Sequence, residues 1–163
     1  MLYLSMHDLS PKTALAWDIS EVSISQTQAA LRQLGVSGCE FAVQDILSDA
    51  VTELPASFDI IVLSEILEHL EHPRDVLERI SRLLSPTGFV FVNIPINSPS
   101  PDHLYLLNNE TEAIRLMETA GLEVVQSGFF PTQGIDISKA IRNRVSVSAC
   151  MFARNRYASR GLN

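Results

Sequence analysis

The chain has 163 residues, 46% of them hydrophobic and 19% charged, a balance that suits one folded domain with its own core and excludes a disordered chain. Its formal net charge of −7, from 12 basic and 19 acidic residues, argues against a long polyanionic partner, because nucleic-acid affinity rests mostly on neutralising phosphates. No apolar run reaches the ~20 residues of a membrane span, and the start MLYLSMHDLS lacks the basic and long apolar regions of a signal peptide, so no membrane partner is expected.

In chain order, residues 2–9 fit either the last turns of a helix or a short strand. TALAWDIS (13–20) reads as an apolar strand ending at Asp18. Ser20 can cap the next helix, with Glu21 favourable in its first turn; Ile24, Leu31 and Leu34 share one face, and Gly35 ends it. CEFAVQDI (39–46) is a third strand-like run, ending at Asp45, and residues 47–57 are a connection. FDIIVLS (58–64) is rich in β-branched residues, as in a strand covered on both faces. Val76, Leu77, Ile80, Leu83 and Leu84 then mark one face of a helix, Pro86-Thr87-Gly88 stops it, and FVFVNIP (89–95) is the next strand. Strand, helix and strand at this spacing form a βαβ unit with parallel strands. Ligands in such sheets bind beyond the carboxyl ends of the strands, which places Ser64, Glu65, Glu68 and His69 on that rim, beside Asn93 to His103.

NSPSPDH is a loop by composition. Asn109 or Thr111 begins another helix, with Ile114, Met117 and Ala120 inward and Gly121 as its stop. LEVVQSGFF (122–130) is a strand, Asp136 caps a short helix through Arg142, and VSVSACMFARN (145–155) is the last strand. One domain is expected over 1–155, with a frayed tail at 156–163. Cys39 and Cys150 fall in predicted strands without metal-type spacing and read as buried thiols of a reducing cytoplasm. After Asp136 there is no acid, while Lys139, Arg142, Arg144, Arg154, Arg156 and Arg160 all follow. The simpler reading is a solvated edge strand and tail; the other is a patch for an anionic group on a substrate or carrier.

SEILEHLEHP followed by LLSPTGFVFVNIP resembles the fourth strand, following helix and fifth strand of class I S-adenosylmethionine (SAM) dependent methyltransferases, with the ubiquinone-biosynthesis O-methyltransferases sharing a similar Glu-x-x-Glu-His corner. The order of elements is similar to the second through seventh strands of that family. The resemblance implies an α/β, Rossmann-like, mostly parallel sheet with helices on both faces and an antiparallel C-terminal strand at 145–155, lying between 89–95 and 122–130. It implies SAM as cofactor, with Asp18 on the ribose hydroxyls, Asp45 on the adenine amino group, the Ile46 backbone completing the adenine edge, and Ser64 at the same site. A helix-capping role for Asp18 and a turn role for Asp45 remain the alternatives. The family's glycine-rich loop after its first strand has no counterpart here: the glycines stand singly at 35, 38, 88, 121, 128, 134 and 161. The first strand is therefore expected to be missing, leaving sheet edges for a companion segment or self-association to complete, and SAM binding by this chain alone is expected to be weak or absent.

Glu65, Glu68 and His69, at i, i+3 and i+4, would share one face of a helix starting at Ser64, and His103 follows the next strand on the same rim. Two carboxylates and imidazoles can hold a divalent ion, Mg²⁺, Mn²⁺ or Zn²⁺. The constellation is similar to that of metal-assisted ubiquinone O-methyltransferases and small-RNA terminal 2′-O-methyltransferases. The alternatives are a metal-free corner, or His69 as a direct general base. Tyr105 is expected in the acceptor pocket, His72 on the surface, and Trp17, Phe58, Phe129 and Phe130 in the core. The expected function is SAM-dependent methylation of a small-molecule acceptor, at oxygen. The competing reading is a methyltransferase-like remnant that binds or scaffolds without catalysis.

Overall fold

The computed structural model describes residues 13–52, 54 and 57–157. The helix-or-strand expectation for residues 2–9 and most of the expected tail lie outside the described residues. The chain divides into two compact units, 1–53 and 54–163.

In the first unit β1 (Ala14–Asp18) pairs in parallel with β2 (Cys39–Val43), and Asp18 stands opposite Val43. Between them runs α1 (Glu21–Gln33). The Ser20 side chain accepts from the Ser23 N–H, and Glu21 sits in the positive first turn, as the capping pattern requires. Ile24 is buried on α1, but Leu34 is the C-cap and exposed, so the inward face is narrower than its spacing suggests. Gly35 follows at φ +69°, where a side chain would be strained. β2 ends two residues before Asp45, although the Gln44 N–H still donates to the Asp18 carbonyl. A single turn, α2 (Asp49–Thr52), completes the unit.

The second unit is built on β3 (Phe58–Ser64), α3 (Pro73–Leu83), β4 (Leu84–Ile96), α4 (Glu110–Thr119), β5 (Leu122–Pro131), α5 (Ile137–Arg142) and β6 (Val147–Asn155). Its sheet has the order β3-β4-β6-β5, with β3 parallel to β4 and β6 antiparallel to both neighbours. The last strand thus lies where the sequence puts it, between 89–95 and 122–130.

The core follows the period of each element. Val76, Leu77, Ile80 and Leu83 of α3 are buried. So are the alternating residues Val90, Val92, Ile94 and Ile96 of β4, and Val147, Ala149, Met151 and Ala153 of β6. On α4 the buried residues are Ala113, Leu116 and Met117, with Ile114 only half-buried, and Ala120 at the C-cap is buried too. On the opposite face of β3 the side chains are more exposed. Ile60 is 60% and Val62 57% exposed, so β3 is not covered on both faces, and Phe130, expected in the core, is 60% exposed. Trp17, Phe58 and Phe129 are half-buried, as are Cys39 and Cys150.

Pro86-Thr87-Gly88 does not form a separate turn. α3 runs straight into β4, which carries all three residues and pairs Leu84 with Phe58. Gly88 is needed there because a Cβ would meet the Phe58 carbonyl oxygen at 2.6 Å.

Candidate functional site

Each unit carries predicted site residues at the carboxyl ends of its parallel strands. In the first, Asp18 ends β1 and is exposed; its Oδ1 accepts from the Ser20 N–H at 2.8 Å. Asp45, two residues past β2 and exposed, accepts from the Leu47 N–H at 2.8 Å. Ile46 beside it is half-buried. Each aspartate thus spends one oxygen on a local turn, and a carboxylate can accept further hydrogen bonds.

In the second unit β3 ends at Ser64, and the chain does not enter a helix there. Glu65 takes a left-handed φ of 54°, Leu67–His69 form one 3₁₀ turn, and α3 waits until Pro73, at whose start His72 is exposed. The shared helical face expected for Glu65, Glu68 and His69 is therefore not formed. Glu65 turns back over the sheet, where its Oε1 accepts from Asn93 Nδ2 at 2.8 Å; the same amide lies 3.4 Å from Ser64 Oγ.

Glu68 and His69 instead meet the loop after β4. The Glu68 carbonyl accepts from the N–H groups of Leu104 and Tyr105, at 2.8 and 3.0 Å. His69 Nδ1 lies 2.9 Å from the Asp102 carbonyl, and His103 Nδ1 lies 2.6 Å from the Ser98 carbonyl. A carbonyl only accepts, so both rings carry their proton on Nδ1, and both Nε2 atoms present a lone pair when the rings are neutral. The two rings meet edge to face at 5.1 Å. His69 Nε2 is 3.8 Å from Glu68 Oε1. Ligand atoms of Glu68, His69 and His103 all lie within 4.8 Å of one another.

Glu68 is the anomaly. It is 1% exposed, and neither carboxylate oxygen has a hydrogen-bond partner among the described residues. Burial pushes its carboxyl above the usual range, and the charge of Glu65 adds to the effect. Such a group is costly to leave unmet and calls for a proton or a cation. The sequence pointed to the residue but not to its burial, which depends on the returning loop. Tyr105 also lines an open cavity of about 390 Å³ with Glu71, His72, Pro73, Arg74 and Asp75, a cavity that Glu68, His69 and His103 do not line.

A family profile described as "Methyltransferase domain" matches residues 3–126. The ubiquinone biosynthesis O-methyltransferase of Paracidovorax citrulli is 27% identical over 143 residues, 87% of this chain and 53% of that protein. The Pseudomonas putida protein of the same name is 31% identical over 99 residues, 60% of this chain and 41% of that one. The chain spans about half or less of the length of these relatives. Among solved structures, the [4+2]-cyclase SpnF superposes with a TM-score of 0.72 at 15% identity, covering 94% of this chain and 69% of that one. The 1,6-didemethyltoxoflavin-N1-methyltransferase of Burkholderia thailandensis, with bound 1,6-didemethyltoxoflavin and S-adenosylhomocysteine, gives 0.65 at 20% identity, covering 94% and 65%. These likenesses show the fold, and the cyclase among them shows that the fold alone does not dictate the reaction. The profile spans most of the sequence, and the chain belongs to the methyltransferase-domain family.

Proposed function

We propose that this chain acts in SAM-dependent methyl transfer to an oxygen of a small-molecule acceptor. The observation that carries the chemistry is the corner of Glu68, His69 and His103, with a buried unpartnered carboxylate beside two Nε2 lone pairs. SAM, when bound, supplies a methyl group on a sulfonium sulfur. In this reading Asp18 would accept hydrogen bonds from ribose hydroxyls, Asp45 and the Ile46 backbone would take the adenine edge, and Ser64, the last residue of β3, would be a further cofactor contact. His69 Nε2, with its ring held through Nδ1 by the Asp102 carbonyl, would take the proton of the acceptor hydroxyl. Tyr105, whose N–H donates to the Glu68 carbonyl, would line the acceptor pocket.

A second reading rests on Glu68 itself. Two imidazoles anchored through Nδ1 and one buried carboxylate are a donor set that fits a divalent ion, Zn²⁺ or Mn²⁺ better than the oxygen-seeking Mg²⁺. A bound ion would acidify an acceptor hydroxyl. Glu65, engaged with Asn93, is then a neighbour and not a ligand. The two readings separate by thermal shift: a held ion raises the melting temperature of the wild type and not of His103→Ala, and excess chelator reverses it.

The methyltransferase reading is tested by saturation-transfer NMR with S-adenosylhomocysteine, which detects the weak binding expected without a glycine-rich loop. Ribose and adenine signals are expected in the wild type, with Asp18→Ala losing more than Asp45→Ala because two ribose hydrogen bonds go instead of one. No signal from the wild type at millimolar ligand would favour the non-catalytic remnant. We further propose one domain over 1–155 and a cytoplasmic setting, supported by two cysteines that are both free thiols. A strand from a companion segment or second copy would pair the open edge of β3, which has one hydrogen-bonded neighbour among the described residues.

A further inference from the structure

The basic residues after Asp136 divide into two groups. Arg154 pairs with Glu123 at 3.0 Å and Arg156 with Glu118 at 3.9 Å, the solvated ion pairs expected of an edge. Lys139, Arg142 and Arg144 are all exposed, and none has an ion pair among the described residues. Their position is defined. The connection that carries them leaves the end of β5 at Pro131 and returns at Val147, which stands opposite both Pro131 and Ile96. It therefore sits at the carboxyl end of β4, the rim that holds the Glu68–His69–His103 corner. Buried Ala140 fixes α5 from beneath, and the Ile141 carbonyl accepts from Asn97 Nδ2 at 3.5 Å. Asn97 adjoins Ser98, whose carbonyl anchors His103. Asp136, the acid nearest in sequence, is occupied in capping α5 through the Lys139 N–H.

We propose that Lys139, Arg142 and Arg144 form a specificity element that selects an acceptor bearing a carboxylate or a similar small anionic group; this rests on the methyltransferase reading above. Three cations without an ion pair among the described residues, in a chain whose net charge is −7, concentrate positive potential on this rim. Arginine forks suit a planar carboxylate. Lys139 and Arg142, at i and i+3, share a face of α5.

The experiment compares two probes of one ring, 3,4-dihydroxybenzoate and catechol, by calorimetry at low salt against the full chain. The wild type is expected to bind the carboxylate probe about tenfold more tightly, the sum of three partly exposed charge contacts. Lys139→Gln/Arg142→Gln/Arg144→Gln should abolish the preference, leave catechol affinity and the melting temperature unchanged, and Lys139→Arg alone should retain it. Raising the salt to about 0.5 M should also remove it. Equal binding of the two probes, binding of neither, or a preference that survives in the triple variant overturns the proposal. So does wild-type binding to phosphatidylglycerol vesicles that the triple variant loses, when the small probes are not distinguished; the patch is then a lipid contact. Failure of S-adenosylhomocysteine to bind, with the probe preference intact, would remove methyl transfer and keep the anion site.

Discussion

Glu68 shows how a single side chain can be legible by type and not by environment. Its spacing from Glu65 and His69 suggested a helical face, yet the backbone bends at Glu65 and folds Glu68 under the loop of Leu104 and Tyr105. That contact joins residues distant in sequence, and no local pattern encodes it. Its partners were readable only as residue types: His103 was placed on the same rim, while the carbonyls of Asp102 and Ser98 that orient the two rings carry no sequence signature at all. A buried carboxylate with no hydrogen-bond partner among the described residues is destabilising, and replacing buried charged groups by apolar ones of similar volume is often neutral or stabilising. Glu68→Leu should therefore raise stability to urea by about 1–3 kcal/mol in metal-free buffer. A loss of stability would mean that Glu68 has a partner in solution.

At the scale of elements, periodic patterns were reliable and turn signals less so. The apolar face of α3 is buried as spaced, and Asn109 does cap α4. Pro86-Thr87-Gly88 resembles a turn but lies inside β4 as an irregularity: the register passes from Leu84 opposite Phe58 to Phe89 opposite Ile60, and the residues between have no place in the ladder. The cost is a close approach at Gly88. Gly88→Ala should destabilise the chain by roughly 1–3 kcal/mol, because backbone must shift to admit the methyl group. A variant within a few tenths of wild type would show that β3 and β4 can part there freely. The start of α4 offers a milder test. Asn109 Oδ1 accepts from the Glu112 N–H at 2.9 Å, and Glu112 reaches back to the Asn108 N–H at 2.8 Å. Asn109→Ala should cost about 1 kcal/mol in thermal or urea unfolding. The Asn108 N–H holds the Glu112 carboxyl below its usual range. A depressed folded value means that this contribution is present above the unfolded pKa and fades as pH falls through the folded one. Glu112→Gln should accordingly lower stability at neutral pH, and its difference from wild type should shrink in acid.

For the molecule as a whole, the order of elements told more than any motif. Alternating strands and helices, then a final strand of small polar and apolar residues, foretold the α/β class and the place of β6. The exposure of Ile60 and Val62 was not foretold, because β-branched runs look the same whether one face or both are covered. The insertion of β6 between β4 and β5 has a consequence for how the chain is made. Synthesis runs from the N-terminus, so β4 and β5 leave the ribosome before the strand that joins them. Until residues 147–155 emerge, each has an inner edge with no partner, and the apolar row of Val90, Val92 and Ile94 has no neighbouring strand on that side. The final segment thus acts as a latch, and a nascent chain arrested before it presents two adhesive edges of the kind that chaperones shield.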